Sequence, residues 1–378
     1  MIRRRAVAAA AAVAVVAAVA ATVQATGGAM SDAVRTASGA ASPAPMTPLA
    51  STPPVLGVQY TALWDGVETA DREQMVDAIA ASGAGWVRLD VGWAALQPDG
   101  PNRWDLDWGV ALVDDAVAVA RAKGLRVLLT FYWAPEWATG GGGKAAHPSP
   151  AAYARAIGWV AQRWGDDVDA YEIWNEPNGK RFWKPTDAEA YTRMLKAAYP
   201  AVKAADPSAQ VVLGGLEYVD LDWLQQLYDA GAAGSYDVLA VHPYPSPGDL
   251  PPGAAPDGTR YRFRNLDELV VVMREHGEAE VPVWLTEVGW SAHENDADAE
   301  VWALGVSDAD QARFLYDSVR LVASRYPQVQ GWFWYTVRDT RLGDVHQDGF
   351  GLTRADGSRK PAWFALRCVA SRECADAP

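Results

Sequence analysis

The sequence predicts an α/β chain closed into a (β/α)8 barrel of the TIM type, a single catalytic domain. Three observations predict it. Eight short, β-rich apolar runs follow one another along the chain, each is followed by a segment of helical period, and the first run leads into no glycine-rich phosphate loop, since Gly57-Val58-Gln59-Tyr60-Thr61 offers none. A doubly wound open sheet would want such a loop. Right-handed βα units that close on themselves leave no exposed sheet edge, so the barrel is the economical solution.

In order, the first strand is expected over Leu56–Tyr60 with a helix over Asp71–Ser82 closed by Gly83, and the second over Trp86–Val91 with a helix over Trp108–Lys123 closed by Gly124. A glycine just past a helix accepts the left-handed conformation that ends it. The third strand is Arg126–Tyr132 with helix Pro150–Trp164. The fourth is Ala170–Trp174 with helix Asp187–Ala205, announced by Thr186-Asp187. The fifth is Gln210–Gly214 with helix Leu221–Ala230, and the sixth Val238–His242 with helix Asn265–His276. The seventh, Val283–Glu287, precedes helix Asp308–Arg325, opened by Ser307-Asp308, and the eighth, Gly331–Tyr335, precedes helix Ala362–Ala370. Asp and Ser before a helix accept from its orphan first-turn N–H groups.

Residues outside this frame bound the chain's address and partners. A basic start, Arg3-Arg4-Arg5, an Ala/Val run from Ala6 to Ala21 and Val23-Gln24-Ala25 read as a signal peptide over 1–25, so a secreted, extracellular protein is expected; membrane contact arises only if that segment is retained. The stretch 26–54 is rich in Ala, Ser, Thr and Pro and reads as a disordered linker, placing the folded domain at 55–378. Cys368 and Cys374, the two cysteines of the chain, could close a small terminal loop. The 33 basic and 47 acidic residues give a net charge of −14. That argues against nucleic acid and anionic surfaces and for a neutral ligand, and a monomer is expected. Trp is in excess, 18 against 14 Tyr and 7 Phe, which hints at flat stacking surfaces as well as core.

In a barrel of this kind chemistry sits at the C-terminal ends of the strands. The fourth strand runs into Trp174-Asn175-Glu176-Pro177-Asn178 and the seventh into Thr286-Glu287-Val288-Gly289-Trp290. Each delivers one Glu, and strands four and seven face each other across the mouth. Paired carboxylates converging on one bond are what glycoside hydrolysis requires. A lone Glu there is as well explained by a structural ion pair; two, each flanked by Trp, are less so.

Trp174-Asn175-Glu176-Pro177-Asn178, His242-Pro243-Tyr244, Thr286-Glu287 and the Trp-rich eighth strand together resemble a retaining glycoside hydrolase of clan A, most like family 39, with family 5 as neighbour. The resemblance covers Val55 to about Ala370. It implies Glu176 as general acid/base and Glu287 as nucleophile, with Asn175 on the sugar 2-hydroxyl, Arg88 holding the nucleophile ionised, Tyr244 donating to Glu287, and His242 lining the same floor. The His-x-Tyr spacing puts both side chains on one face of the sixth strand. Trp334 would floor the sugar beside the cleaved bond, with Trp332 deeper in the barrel core. It implies a carboxyl separation of about 5–5.5 Å.

Trp133, Trp137, Trp183 and Trp290 fall on the expected catalytic-face loops, where stacking on sugar and simple packing are equally good accounts; Trp159, Trp164, Trp223 and Trp302 are expected to pack near outer helices. Glu172 shares parity with Glu176 and is expected to support the site, paired with a base such as Arg88. Glu136 and Glu217 are further candidates for substrate contact, and Asp339 for sugar hydroxyls or Arg338. No cofactor and no metal site are expected. The expected activity is retaining cleavage of O-glycosidic bonds in a neutral polysaccharide or oligosaccharide, endo-acting if the Trp platforms flank the site on both sides. The alternatives are an exo-acting glycosidase and a non-catalytic carbohydrate-binding barrel, which would keep the Trp surfaces without needing both Glu.

Overall fold

Runs such as Val127-Leu128-Leu129 and Leu239-Ala240-Val241 are buried on both faces, the condition of a parallel sheet covered by helices. In a computed structural model, which describes residues 46–64, 66–371 and 374, these runs become β1 (Val55–Gln59), β2 (Trp86–Gly92), β3 (Arg126–Tyr132) and β4 (Ala170–Ile173). They continue as β5 (Gln210–Leu213), β6 (Leu239–His242), β7 (Val283–Val288) and β8 (Val329–Trp334). After Gly214-Gly215 a two-residue segment, Leu216–Glu217, resumes the fifth position. Neighbours pair in parallel round the ring, with β8 returning to β1 at Val58 and Trp334. The ring closes because Leu213 N–H donates to Val238 C=O at 2.9 Å and Leu216–Glu217 pairs with Val241–His242.

The outer layer holds α1 (Thr69–Ala81), α2 (Gly109–Ala122), α3 (Pro150–Trp164), α4 (Ala188–Ala205), α5 (Leu221–Asp229), α6 (Leu266–Glu275), α7 (Asp308–Arg325) and α8 (Pro361–Ser371). The expected starts are visible as caps: Asp187 accepts from Ala190 N–H at 2.9 Å and Ser307 from Asp310 N–H at 3.0 Å. Short turns that the periodicity did not show, Trp93–Leu96, Glu136–Thr139 and Val345–Asp348, sit in loops.

Alternation sorts each strand into two cores. Trp86, Leu128, Ala170, Val212, Ala240, Trp284 and Phe333 fill the barrel interior. Gly331 exists because the interior is full: a Cβ there would lie 2.6 Å from the Trp284 ring. The opposite set, Val87 and Leu89 on β2 and Trp332 and Trp334 on β8, belongs to the larger core beneath the helices. Trp332 is therefore core, but on the helix side of the sheet rather than inside the barrel.

At the N-terminal end, the segment 1–25 and residues 26–45 of the expected linker lie outside the described residues. The last part of that linker is laid onto the barrel: Leu49 is buried, Met46 packs on the same core, and Tyr316 OH donates to Thr47 C=O at 2.8 Å. Packed structure thus starts before Val55, because two apolar side chains in a Pro/Thr stretch find a place on the shell. Cys368 and Cys374 form a disulfide with Cα atoms 4.2 Å apart. Among the described residues no helix is long and apolar enough to cross a membrane.

Candidate active site

The interior parity of β2 continues upward from Trp86 to Arg88 and Asp90, so a guanidinium stands at the centre of the barrel mouth, wholly buried. Four side chains take its donors. Nε donates to Glu172 Oε2 at 2.7 Å, Nη1 to Gln59 Oε1 at 2.8 Å and to Glu287 Oε1 at 2.7 Å, and Nη2 to Asn175 Oδ1 at 2.7 Å. Asp90 Oδ1 lies 3.4 Å from Nη1. A buried cation is costly unless paired; here two carboxylates in direct contact pair it, and they hold it above the ordinary arginine value against its burial.

Glu172 is the pillar beneath. Its Oε2 accepts from Arg88 and from Thr130 Oγ1 at 2.6 Å, and its Oε1 from Thr286 Oγ1 at 2.8 Å and Gly215 N–H at 3.1 Å. Burial pushes its pKa up, but Arg88 and the other donors outweigh it, so the carboxyl lies below its usual value. The support role expected for Glu172, with Arg88 as its base, is what the geometry shows.

Above this floor Glu176 and Glu287 meet. The chain leaves β4 through left-handed residues, Trp174 (φ 74°) and Glu176 (φ 42°), and Glu176 N–H is tied to Gly215 C=O at 3.0 Å. Non-glycine residues in this region carry a backbone cost of about 1 kcal/mol or more; the turn it permits brings the Glu176 carboxylate to His242. On β7 the register with β8 shifts between Leu285 and Val288. This lets consecutive residues, Thr286 and Glu287, both reach the mouth. One oxygen of each catalytic candidate and His242 Nδ1 all lie within 4.8 Å of one another. Such an approach of the nearest oxygens is compatible with the about 5–5.5 Å between carboxyl groups that retention wants.

The two carboxyls stand in different surroundings. Glu287 accepts on both oxygens, from Arg88 on Oε1 and from Tyr244 OH on Oε2 at 2.9 Å. Glu176 has His242 Nδ1 at 2.8 Å from Oε1, and burial raises its pKa above the ordinary value despite that contact. His242 Nε2 lies 3.0 Å from Thr286 Oγ1, whose hydroxyl proton goes to Glu172. Nε2 therefore donates, and the Glu176–Nδ1 contact holds a proton of its own. Although burial works against it, the Glu287 charge and the Glu176 contact raise the His242 pKa. Gly215 makes this possible: a Cβ there would lie 2.1 Å from His242 Nε2.

Arg88, Asn175, His242 and Tyr244 thus surround Glu176 and Glu287 where the sequence put them. The tryptophans do not. Trp334 has the wrong parity: it is fully buried on the helix side, with its indole N–H on Phe350 C=O at 2.9 Å. Tyr335, the next residue, reaches the mouth instead, its ring 6.3 Å from Tyr244 and 6.3 Å from Trp64. Trp183 is fully buried, stacked on His147 at 4.1 Å, and Trp290 is buried with its N–H on Leu250 C=O. Trp133 is buried with Lys144 over its ring at 4.2 Å, and the half-buried Trp137 sits edge-on to Trp93 at 5.4 Å. Packing, not sugar stacking, explains Trp183, Trp290 and Trp334, and the expected ring of Trp platforms is corrected accordingly.

Three site residues escaped the sequence reading or were left without a role. Asp90, pushed up to about 6 by burial with Arg88 opposing, carried a signal in its two-residue spacing from Arg88. Glu217, pushed up to about 7 by burial and then by the Glu176 charge, sits beside the acid candidate. Tyr335 carried no signal without the β8 register. Trp302 was expected near an outer helix but lies on a turn, Val301–Ala303, in the loop after β7.

Comparison with known proteins bears on the fold and the family. The family model described as cellulase (glycosyl hydrolase family 5) matches residues 50–335. A family 39 glycoside hydrolase from Bacteroides cellulosilyticus WH2 superposes with a TM-score of 0.68 at 24% identity, over 85% of this chain and 64% of that one. GH5_18 from Streptomyces cattleya, in complex with GlcNAc, gives 0.66 at 18% identity over 87% of this chain and 82% of its own. At these identities the superpositions speak for the fold. A β-xylosidase of Geobacillus stearothermophilus is 32% identical over 80 residues, 20% of this chain, and the chain spans 16% of that enzyme's length. Family 39 thus supplies a structural neighbour, while the matching family model is that of family 5. The chain belongs to the cellulase family, glycosyl hydrolase family 5, among the retaining glycoside hydrolases of clan A.

Proposed function

We propose that this chain hydrolyses O-glycosidic bonds of a neutral oligosaccharide or polysaccharide with Glu176 as acid/base and Glu287 as nucleophile. The observation that carries the reading is the asymmetry of two carboxyls whose oxygens lie within 4.8 Å: Glu287 between a guanidinium and a phenol, Glu176 raised and proton-sharing with His242. In the first step the Glu176 proton passes to the leaving oxygen as the C–O bond breaks, and Glu287 bonds the anomeric carbon. In the second, Glu176 takes a proton from water, whose oxygen bonds that carbon and frees Glu287. Asn175, whose Oδ1 is occupied by Arg88, keeps its amide N–H2 as the donor or contact for the sugar 2-hydroxyl.

The basic, apolar, small-residue start supports export, with 26–45 as tether. The endo reading rested on Trp platforms either side of the site; with Trp183, Trp290 and Trp334 buried, an exo-acting glycosidase is the second reading, and the size of the first products decides between them.

Glu176→Ala and Glu287→Ala, each assayed on an aryl glycoside with and without azide, test the assignment. Azide restores turnover in both but returns a glycosyl azide of opposite anomeric configuration in the two variants. Unchanged turnover in both would refute the assignment of Glu176 and Glu287, sugar binding without turnover in the wild type would leave a carbohydrate-binding barrel, and loss of wild-type activity with a chelator would point to a cation held by the Glu176, His242 and Glu287 group instead.

A further inference from the structure

The segment after β5 carries a further carboxyl into the mouth. In the two-residue strand Leu216–Glu217, Glu217 stands in register with His242 of β6, and register partners in a parallel pair point to the same face. Its side chain therefore enters the site beside His242. The turn that delivers Glu176 is sewn to this segment twice. Glu176 N–H donates to Gly215 C=O, and the buried Asn178 holds both edges of Glu217: its Oδ1 accepts from Glu217 N–H at 2.8 Å and its Nδ2 donates to Glu217 C=O at 3.0 Å. At Gly179 the two side chains come together, since a Cβ there would lie 3.4 Å from Glu217 Oε2 and 3.7 Å from Glu176 Cβ. A single methyl group would touch both.

The two carboxyls differ in their access to water: Glu176 is buried, whereas Glu217 is partly exposed. Glu176 faces His242, Glu287 and Arg88, and Glu217 faces Glu176, Arg260, Asp220, His242 and Tyr218. The Arg181 guanidinium lies within reach of both charges. Burial first, and then the Glu176 charge, push the Glu217 carboxyl up to about 7, against the pull of Arg260 and His242. Around neutral pH Glu217 thus gains a proton when Glu176 is charged. Coupling between two sites is reciprocal, so a charged Glu217 raises Glu176 by the same amount. Two such carboxyls lose their protons as a pair.

We propose that Glu217 is a positioning residue of the acid/base: the two carboxyls together hold one proton through the whole reaction. The proposal rests on the glycosidase reading above. In the first step Glu176 passes its proton to the leaving oxygen, and Glu217 takes one up from solvent. In the second, Glu176 takes a proton from the attacking water, and Glu217 returns its own to solvent. Before the reaction the Glu217 charge keeps the proton on Glu176; afterwards its neutralisation spares the discharged Glu176 a like-charged neighbour.

Two measurements test it, one of them without turnover. In enzyme labelled with 13C at the glutamate carboxyls, Glu217→Gln is expected to lower the titration of Glu176 by about one pH unit or more, and Glu176→Gln to lower that of Glu217 by the same amount. On a phenyl glycoside, whose leaving group needs the acid, Glu217→Gln is expected to move the basic limb of kcat/KM down by about one unit, an extra loss of about tenfold at the alkaline end whatever happens to the plateau. Glu217→Asp, which keeps the charge, should restore most of the limb, and a 2,4-dinitrophenyl glycoside, which needs no proton, should show no such extra loss. General loosening of the mouth would instead slow both substrates alike at every pH. Titrations that ignore each other's replacement, or a limb that stays in place in Glu217→Gln, overturn the shared proton. A wild type that hydrolyses no glycoside while the two titrations still move together overturns the glycosidase reading, and the catalytic use of the pair with it.

Discussion

Glu172→Gln is the perturbation that most sharply separates a positioned site from a mere cluster of acids. The carboxylate is fully buried and accepts from four donors, two at each oxygen. Gln keeps the shape but replaces one oxygen by N–H2. At either oxygen one donor is a hydroxyl that can turn round and accept, Thr130 or Thr286; the other is an N–H that cannot, Arg88 Nε or Gly215 N. Whichever way the amide is placed, one N–H faces another. The change also strips Arg88 of one of its two contacting carboxylates. Breaking a buried pair by removing one partner costs about 3–5 kcal/mol. For a domain of this size, at roughly 2.1 cal/mol/K per residue of unfolding entropy, that lowers Tm by about 5–7 °C. Calorimetry at pH 7 reads it, and kcat should fall about 10–100-fold as Arg88 and the Thr286–His242 chain shift. Thr130→Val, losing one neutral hydrogen bond, should cost about 1–2 kcal/mol. If Glu172→Gln melts within about 1 °C of wild type and keeps its kcat, the pillar is not holding the site and the argument from buried pairing is wrong.

Other outcomes follow from the same contacts. Tyr244→Phe removes the one donor on Glu287 Oε2 and should lower kcat/KM about 10–100-fold while leaving Tm nearly unchanged. The acid must be protonated in the free enzyme, so kcat/KM should fall as pH rises through the Glu176 pKa, and that limb should lie above the ordinary 4.5 of a glutamic acid. A limb that persists in Glu176→Gln, assayed with a substrate whose leaving group needs no proton, would assign it elsewhere. Tyr335→Ala should raise KM or lower kcat/KM about tenfold through loss of the aromatic wall. Trp334→Phe should instead cost about 1–3 kcal/mol of stability with kcat/KM within threefold, because its ring fills the shell beneath the helices.

Arg88 and the His242–Tyr244 pair were legible because they depend on element order and two-residue alternation, which apolar runs reveal directly, and the order of the strands alone put the ends carrying Glu176 and Glu287 at one mouth. The extent of β3, α3 and α7 could likewise be read to the residue. What failed was parity where the register bends. Trp334 and Tyr335 are adjacent, and which one enters the mouth depends on how β8 pairs with β1 and β7, a matter of side chains such as Phe333 and Trp284 competing for the barrel interior. Glu287 following the inward Thr286 defies simple alternation for the same reason, and the Asn-Glu-Pro and Thr-Glu patterns found it where periodicity would not. The loop tryptophans were illegible in principle: burial of Trp183 depends on His147 and Tyr191, which come from other parts of the chain.

The account turns on Glu287 forming a bond to sugar. The most direct measurement is intact-mass and peptide analysis of the enzyme incubated with an activated 2-deoxy-2-fluoro hexosyl donor, whose fluorine destabilises both transition states while the good leaving group lets the first step proceed. The expected result is one added fluoro-hexosyl unit, located on Glu287, accumulating as activity is lost and released as activity returns. A label on any other side chain, or inactivation with no covalent adduct, would contradict it.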